Sequence, residues 1–238
     1  LIQGVSPLPL GDLGFRGEAL LRPAALLHLY ARLSSPVIVK THWANVSPSD
    51  LPPFIPRDLT RKAVYVVRDP RDVFSSFADY YGFAPKATAV AMSSREFTIG
   101  GADKGASSAR ISSWSNHVAS WVGEKEFPVH VVKYEDMVAN PQRELREIIE
   151  FMDIGWEIDD SRLDVAAESA SMSRMQRAES EVRFRENSGR GEFFFNGGGT
   201  RWEDELGPKW IRRIEEDHGE VMRLLGYLET ESKIKAVS

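Results

Sequence analysis

The chain has 238 residues, a formal charge of −5 and no cysteine, with 42% hydrophobic and 27% charged residues. That balance is ordinary for a globular chain with a substantial core. It excludes disulfides and thiolate metal sites and argues against general attraction to nucleic acid or anionic membrane, while leaving room for a local basic pocket that holds a small anion. No apolar run approaches a membrane span and no secretory-signal pattern stands at the start, so the sequence predicts a cytoplasmic protein.

Taken in chain order, Leu1 to Gly17 is punctuated by Gly4, Pro7, Pro9, Gly11, Gly14 and Gly17 and reads as a loop. Ala19 to Leu33 carries leucines and alanines at helical spacing, with Pro23 in the first turns and Ser34-Ser35-Pro36 as the stop. Pro36 to His42, PVIVKTH, reads as a buried strand ending in polar residues, and Pro48 to Pro56 as a proline-rich loop.

Ala63 to Val67, AVYVV, reads as a second buried strand. Arg68-Asp69-Pro70 ends it. Pro70 suits the first position of a helix, and Val73, Phe74, Phe77 and Tyr81 recur at helical spacing behind it. Gly82 to Ala109 has no convincing period and reads as a lid or binding loop. A helix over Ile111 to Val122 follows, with Trp114, Val118 and Trp121 on one face.

Pro128 to Tyr134 is a third strand. Asn140-Pro141 is expected to cap and open a helix over Gln142 to Met152, and Asp159 to Ala170 is expected to be helical. Ser171 to Arg201 is the least regular part and is locally basic. Pro208 to Leu225 forms a last amphipathic helix with Gly226 as its expected C-cap.

Strands alternating with helices predict an α/β domain over residues 1–238, a parallel sheet flanked by helices on both faces. Three strands are few for this length and the chain opens on Leu1 rather than Met. A further strand is therefore expected, either hidden in these residues or upstream.

All three strands end in side chains suited to chemistry, on the sheet edge where α/β proteins bind ligands. Lys40 and His42 alternate with Thr41 and so share a face. Histidine is the side chain best suited to act as a general base, although a histidine at a strand end often only hydrogen-bonds there. A guanidinium at Arg68, behind an apolar run, needs an anion. Asp69, Asp72 or another acid in an ion pair, and a phosphate gripped together with Ser75 and Ser76, are equal readings at this point. Tyr134, Glu135 and Asp136 close the third strand.

VKTH at Val39 to His42, YVVRDPRDVFSSF at Tyr65 to Phe77, VVKYEDM at Val131 to Met137 and the following NPQRELREIIEFM resemble the sulfotransferase family in order and spacing across most of the chain. The resemblance implies the P-loop NTPase-like sulfotransferase fold. It also implies transfer of a sulfuryl group from 3′-phosphoadenosine 5′-phosphosulfate to an acceptor hydroxyl, with 3′-phosphoadenosine 5′-phosphate as product. His42 matches the family's base and Lys40 the lysine at the transferring group. Arg68 and Ser76, eight positions apart, match the residues for the donor's 3′-phosphate, and Tyr134 the tyrosine near adenine. No metal-ligand cluster stands out.

Two departures accompany the match. A Pro-Lys-Ser-Gly-type phosphate loop is absent from these residues and is expected upstream, together with the first strand. Near the C-terminus, Phe195-Asn196-Gly197 stands where the family carries Arg-Lys-Gly, ahead of Thr200-Arg201-Trp202. Asn196 and Gly197 stay candidates for donor contacts because the glycines, Gly197 to Gly199, still permit a close backbone approach to phosphate, and Arg190 or Arg201 is the candidate to replace the missing cation.

The expected acceptor is a small molecule, lipid or glycan, bounded by segments holding Phe15, Phe83 and Phe97; nucleic acid is not expected as a partner. The alternatives are a P-loop phosphotransferase and a non-catalytic nucleotide-binding relative.

Overall fold

A computed structural model describes residues 2–33, 37–47, 51–100, 109–181 and 202–229. In chain order the principal elements are α1 (Leu10–Tyr30), β1 (Ala63–Val67), α2 (Pro70–Tyr81), α3 (Pro85–Ser93), β2 (Thr98–Ile99), β3 (Ala109–Arg110) and α4 (Trp114–Val122). They continue with β4 (Val129–Lys133), α5 (Tyr134–Ala139), α6 (Pro141–Met152), α7 (Asp160–Ser169), α8 (Met172–Glu181), α9 (Trp202–Glu205) and α10 (Pro208–Leu224). The described residues form two compact units, Leu1–Ala63 with Met92–Val129 and Val64–Ala91 with His130–Ser238.

The first unit is built on α1. Its helical path breaks at Gly14, whose φ of 59° lies in the left-handed region that glycine enters without steric cost. The break lets helix begin at Leu10, nine residues before the sequence reading placed it. Three aromatic rings form the core behind α1: Trp43 and Phe54 lie 4.4 Å apart edge-on, and Phe15 stacks on Trp43 at 5.6 Å. Ala19, Leu51, Trp43 and Phe54 are buried, with Phe15 and Ala109 partly buried against them. Aromatic pairs at such separations contribute about 0.5–1.5 kcal/mol beyond the area they bury.

The predicted strand over Pro36 to His42 is not one. Residues 37–42 are irregular, and Val37, Ile38 and Val39 are exposed. Their β-branched side chains favour extended backbone, but a strand also needs a neighbour to bond, and among the described residues none pairs with them. The stretch read as a lid after Tyr81 contains α3 and the antiparallel pair β2–β3, with Thr98 opposite Arg110 and Ile99 opposite Ala109. Its alanines are good helix formers that leave little amphipathic period to read. Residues 101–108 lie outside the described ones.

The second unit has β1 beside β4 in a parallel sheet with helices. Val67 and Val132 are buried. Behind β1, Asp69 caps α2 by accepting from the Arg71 N–H at 2.8 Å, and Pro70 occupies the first turn. Gly82, at φ 63°, ends the helix in the left-handed conformation. Phe74 points inward and stacks on Trp210 of α10 at 5.8 Å. α6 starts at Pro141 as expected, but the Asn140 side chain makes no capping bond, and its φ of −141° and ψ of 64° are those of an irregular turn. The C-cap of α10 is Leu225, one residue before the expected Gly226, which follows it in the left-handed region at φ 74°. No described helix is long and apolar enough to cross a membrane.

Candidate donor clamp and transfer residues

In the second unit, the turn from β1 into α2 holds two arginines three residues apart, and they have different surroundings. Arg71 is buried. Its guanidinium pairs with Asp69 at 2.7 Å and with Glu215 at 3.0 Å, donates to the Tyr227 carbonyl at 3.1 Å, and lies 3.8 Å from the Trp202 ring centre. Burial works against its charge, but the bonds and charges of Asp69 and Glu215 outweigh that and hold it more firmly protonated than an ordinary arginine. Asp72, also buried, accepts from the Trp202 N–H at 3.0 Å. Asp69 thus pairs with Arg71, and Asp72 receives the backbone of α9.

Arg68 reaches Ser76, with Nη1 3.4 Å from Oγ, and its guanidinium carbon lies 4.6 Å from the centre of the Tyr134 ring. Each contact follows from local structure. Ser76 stands two turns along α2 from the end of β1, and Tyr134 opens α5 directly after β4, the strand beside β1. Three of the predicted donor residues are therefore brought together around one guanidinium. That arrangement presents a planar cation, a hydroxyl and an aromatic face beside a helix N-terminal turn, which suits a phosphate carried on a nucleotide.

Glu135, one of the polar residues at the end of β4, acts as a strut. Its Oε1 accepts from the Asp69 N–H at 3.0 Å and its Oε2 from the Tyr227 hydroxyl at 3.0 Å, fixing the start of α2 against α5. Burial, followed by the Glu135 charge and bond, pushes the Tyr227 phenol well above its ordinary range, so it remains a donor. Asn196, Gly197, Arg190 and Arg201 lie outside the described residues.

In the first unit, Lys40 and His42 are exposed on the irregular segment. An irregular backbone must find hydrogen bonds outside a ladder, and one face of α4 supplies them. His117 Nε2 lies 3.3 Å from the His42 carbonyl, Trp121 Nε1 donates to the Trp43 carbonyl at 3.1 Å, and Ser120 Oγ accepts from the Asn45 N–H at 3.0 Å. Just beyond α4, Glu124 accepts from Asn45 Nδ2 at 2.6 Å. The Ala44 N–H reaches the Arg110 carbonyl at 2.8 Å, and Thr41 Oγ1 receives Arg22 at 3.0 Å and the Trp43 N–H at 3.2 Å. Residues 117, 120, 121 and 124 recur at helical spacing. That polar pattern on a helix read only for its tryptophans and valine was the signal the sequence reading passed over.

The family model for a sulfotransferase domain matches residues 22–226. Mouse sulfotransferase 1A1 is 30% identical over 146 residues, covering 60% of this chain and 46% of that protein. Arabidopsis thaliana cytosolic sulfotransferase 10 is 26% identical over 202 residues, 82% of this chain and 58% of that one. The chain thus spans about half the length of the curated relatives it matches.

Among solved structures, a retinol dehydratase in complex with androsterone and the inactive cofactor PAP superposes with a TM-score of 0.59 at 20% identity, covering 90% of this chain and 64% of that one. Mouse sulfotransferase SULT7A1 complexed with PAP gives 0.54 at 24% identity, over 71% of this chain and 62% of that one. This chain shares their α/β fold, and the matches fall on the sulfotransferase side of the alternatives drawn from the sequence. With the domain match running from α1 to the end of α10, the chain belongs to the sulfotransferase family.

Proposed function

We propose that this protein transfers a sulfuryl group from 3′-phosphoadenosine 5′-phosphosulfate to a hydroxyl of a small-molecule, lipid or glycan acceptor, as a single catalytic domain in the cytoplasm. The observation that carries the reading is the grouping of Arg68, Ser76 and Tyr134. In this reading Arg68 and Ser76 hold the 3′-phosphate and Tyr134 lies toward the adenine, with Asn196, Gly197 and Arg190 or Arg201 adding contacts to the phosphate. The family membership and the PAP carried by both structural relatives support that choice of donor.

The transfer itself is assigned to Lys40 and His42. His42 takes the acceptor's hydroxyl proton as the acceptor oxygen bonds to sulfur. The bond from sulfur to the 5′-phosphate oxygen breaks, and that oxygen leaves with the electron pair on 3′-phosphoadenosine 5′-phosphate. The Lys40 ammonium offsets negative charge at the transferring group. Such displacements depend mainly on in-line positioning and on stabilising charge at the leaving oxygen.

A screen with ³⁵S-labelled donor across phenols, alcohols, sterols and glycans tests the activity. His42→Ala is expected to abolish transfer, a loss on the order of 10²-fold or more, with 3′-phosphoadenosine 5′-phosphate binding nearly unchanged. Retention of most turnover would remove His42 from the role of base.

A further inference from the structure

His42 is exposed on irregular backbone. A general base has to stand within hydrogen-bond reach of the proton it takes, and a misplacement of about 1 Å costs as much as 10²-fold in rate. On a strand the ladder would fix the direction of such a side chain. Here the fixing groups come from α4.

α4 is itself firmly set. Ser113 caps it by accepting from the Asn116 N–H at 3.2 Å, and Asn116 Nδ2 donates to Ser112 Oγ at 2.8 Å. Ser112 is buried and held at φ 65°, a left-handed conformation that a non-glycine residue adopts only when its surroundings impose it. The N–H groups of Ile111 and Ser112 both reach the Phe97 carbonyl at 3.0 Å. From this base the helix directs His117 to the main chain of His42.

We propose that His117 is a positioning residue for His42, its Nε2–H holding the His42 carbonyl so that the exposed His42 imidazole is presented in one direction. The inference rests on the reading of His42 as base. A carbonyl only accepts, so the proton of a neutral His117 resides on Nε2. Burial lowers the tendency of His117 to ionise and the neighbouring His42 charge adds to that, while the bond to the His42 carbonyl opposes it. The Ser120 hydroxyl, donating to the His117 carbonyl at 2.7 Å while accepting from the Asn45 N–H, ties the same turn of α4 to the segment at a second point.

The test compares His117→Phe, which keeps the ring's bulk without its donor, with His117→Gln, whose amide nitrogen takes the place of Nε2. Two readouts are taken on the intact protein: the His42 Cε1–H signal in a ¹³C-histidine NMR spectrum, assigned by its loss in His42→Ala, and steady-state kinetics. His117→Phe is expected to shift or split the His42 signal and to lower kcat about tenfold with donor KM little changed. His117→Gln is expected to restore a single signal and to bring kcat within about threefold of the parent.

An unmoved His42 signal in His117→Phe overturns the proposal whatever the activity. So does a failure of His117→Gln to rescue, and so does a moved signal with undiminished kcat when His42→Ala is inactive. Should His42→Ala itself retain turnover, the reading of the base fails separately, and the NMR comparison alone decides whether His117 positions His42.

Discussion

Replacing Arg68 by Ala is the sharpest test of the donor clamp, because two contacts define what the change removes. The guanidinium meets Ser76 at 3.4 Å and the Tyr134 ring at 4.6 Å. A hydrogen bond between a charged group and a phosphate contributes about 1.5–3 kcal/mol, so loss of the arginine should weaken 3′-phosphoadenosine 5′-phosphate by roughly 10- to 150-fold. Adenosine 5′-phosphate, which lacks the 3′-phosphate, should lose less than about threefold, reflecting only the altered setting of Tyr134. Arg68→Lys keeps the charge but not the planar fork and should fall between. Isothermal titration of both nucleotides into the parent and each variant, with thermal unfolding as a control for folding, measures these directly. Equal losses for the two nucleotides would refute the assignment of Arg68 to the 3′-phosphate.

Arg71 should behave in the opposite way, as a residue of stability. Arg71→Met leaves the buried Asp69 carboxylate uncompensated and should cost about 3–5 kcal/mol, read as a fall of roughly 10 °C in the unfolding midpoint, and Asp69→Asn added to it should recover part of the loss. A loss under about 1 kcal/mol, or a double variant no better than the single, would count against this account. His218 of α10 should make the fold acid-sensitive. Burial holds its imidazole down to about 4 from 6.5, with Asp217 and Arg213 pulling in opposite directions. The unfolded chain takes up this proton where the folded one does not, so stability is fully present above about pH 6.5 and declines by about 3 kcal/mol as pH falls to about 4. His218→Phe should flatten that part of a urea-denaturation series against pH, and an unchanged slope would exclude His218 as its source.

The parts of the fold that were legible in the sequence are those governed by short-range rules. Asp69, Pro70 and Gly82 mark the ends of α2 because a cap, a missing N–H and a left-handed φ act within a few residues. Val37 to Val39 carried the same β-branched signal as Val64 to Val67, yet among the described residues only the second run has a partner strand, and pairing is a property of distant chain. Gly14 misled in the other direction. Glycines usually punctuate, but a single left-handed residue here allows helix on both sides of it.

The site divides along the same line. The step from Arg68 to Ser76 was legible because one strand end and one helix create it. The role of Arg71 was not, since Glu215 and Tyr227 stand 144 and 156 positions away, and His117 is 75 positions from His42. Sequence alone offered Asp69, Asp72 or another acid as partner for Arg68. The structure gives Asp69 to Arg71 and Asp72 to the Trp202 amide, so Asp72 ties α9 to α2 while Arg71 ties α10 to it through Glu215. Of the two arginines of this turn, Arg71 pairs with Asp69 and Glu215, and Arg68 meets the Ser76 hydroxyl and the Tyr134 ring. The proposed function gives Arg68 to the phosphate of the donor, so Arg68→Ala is read in binding and Arg71→Met in stability.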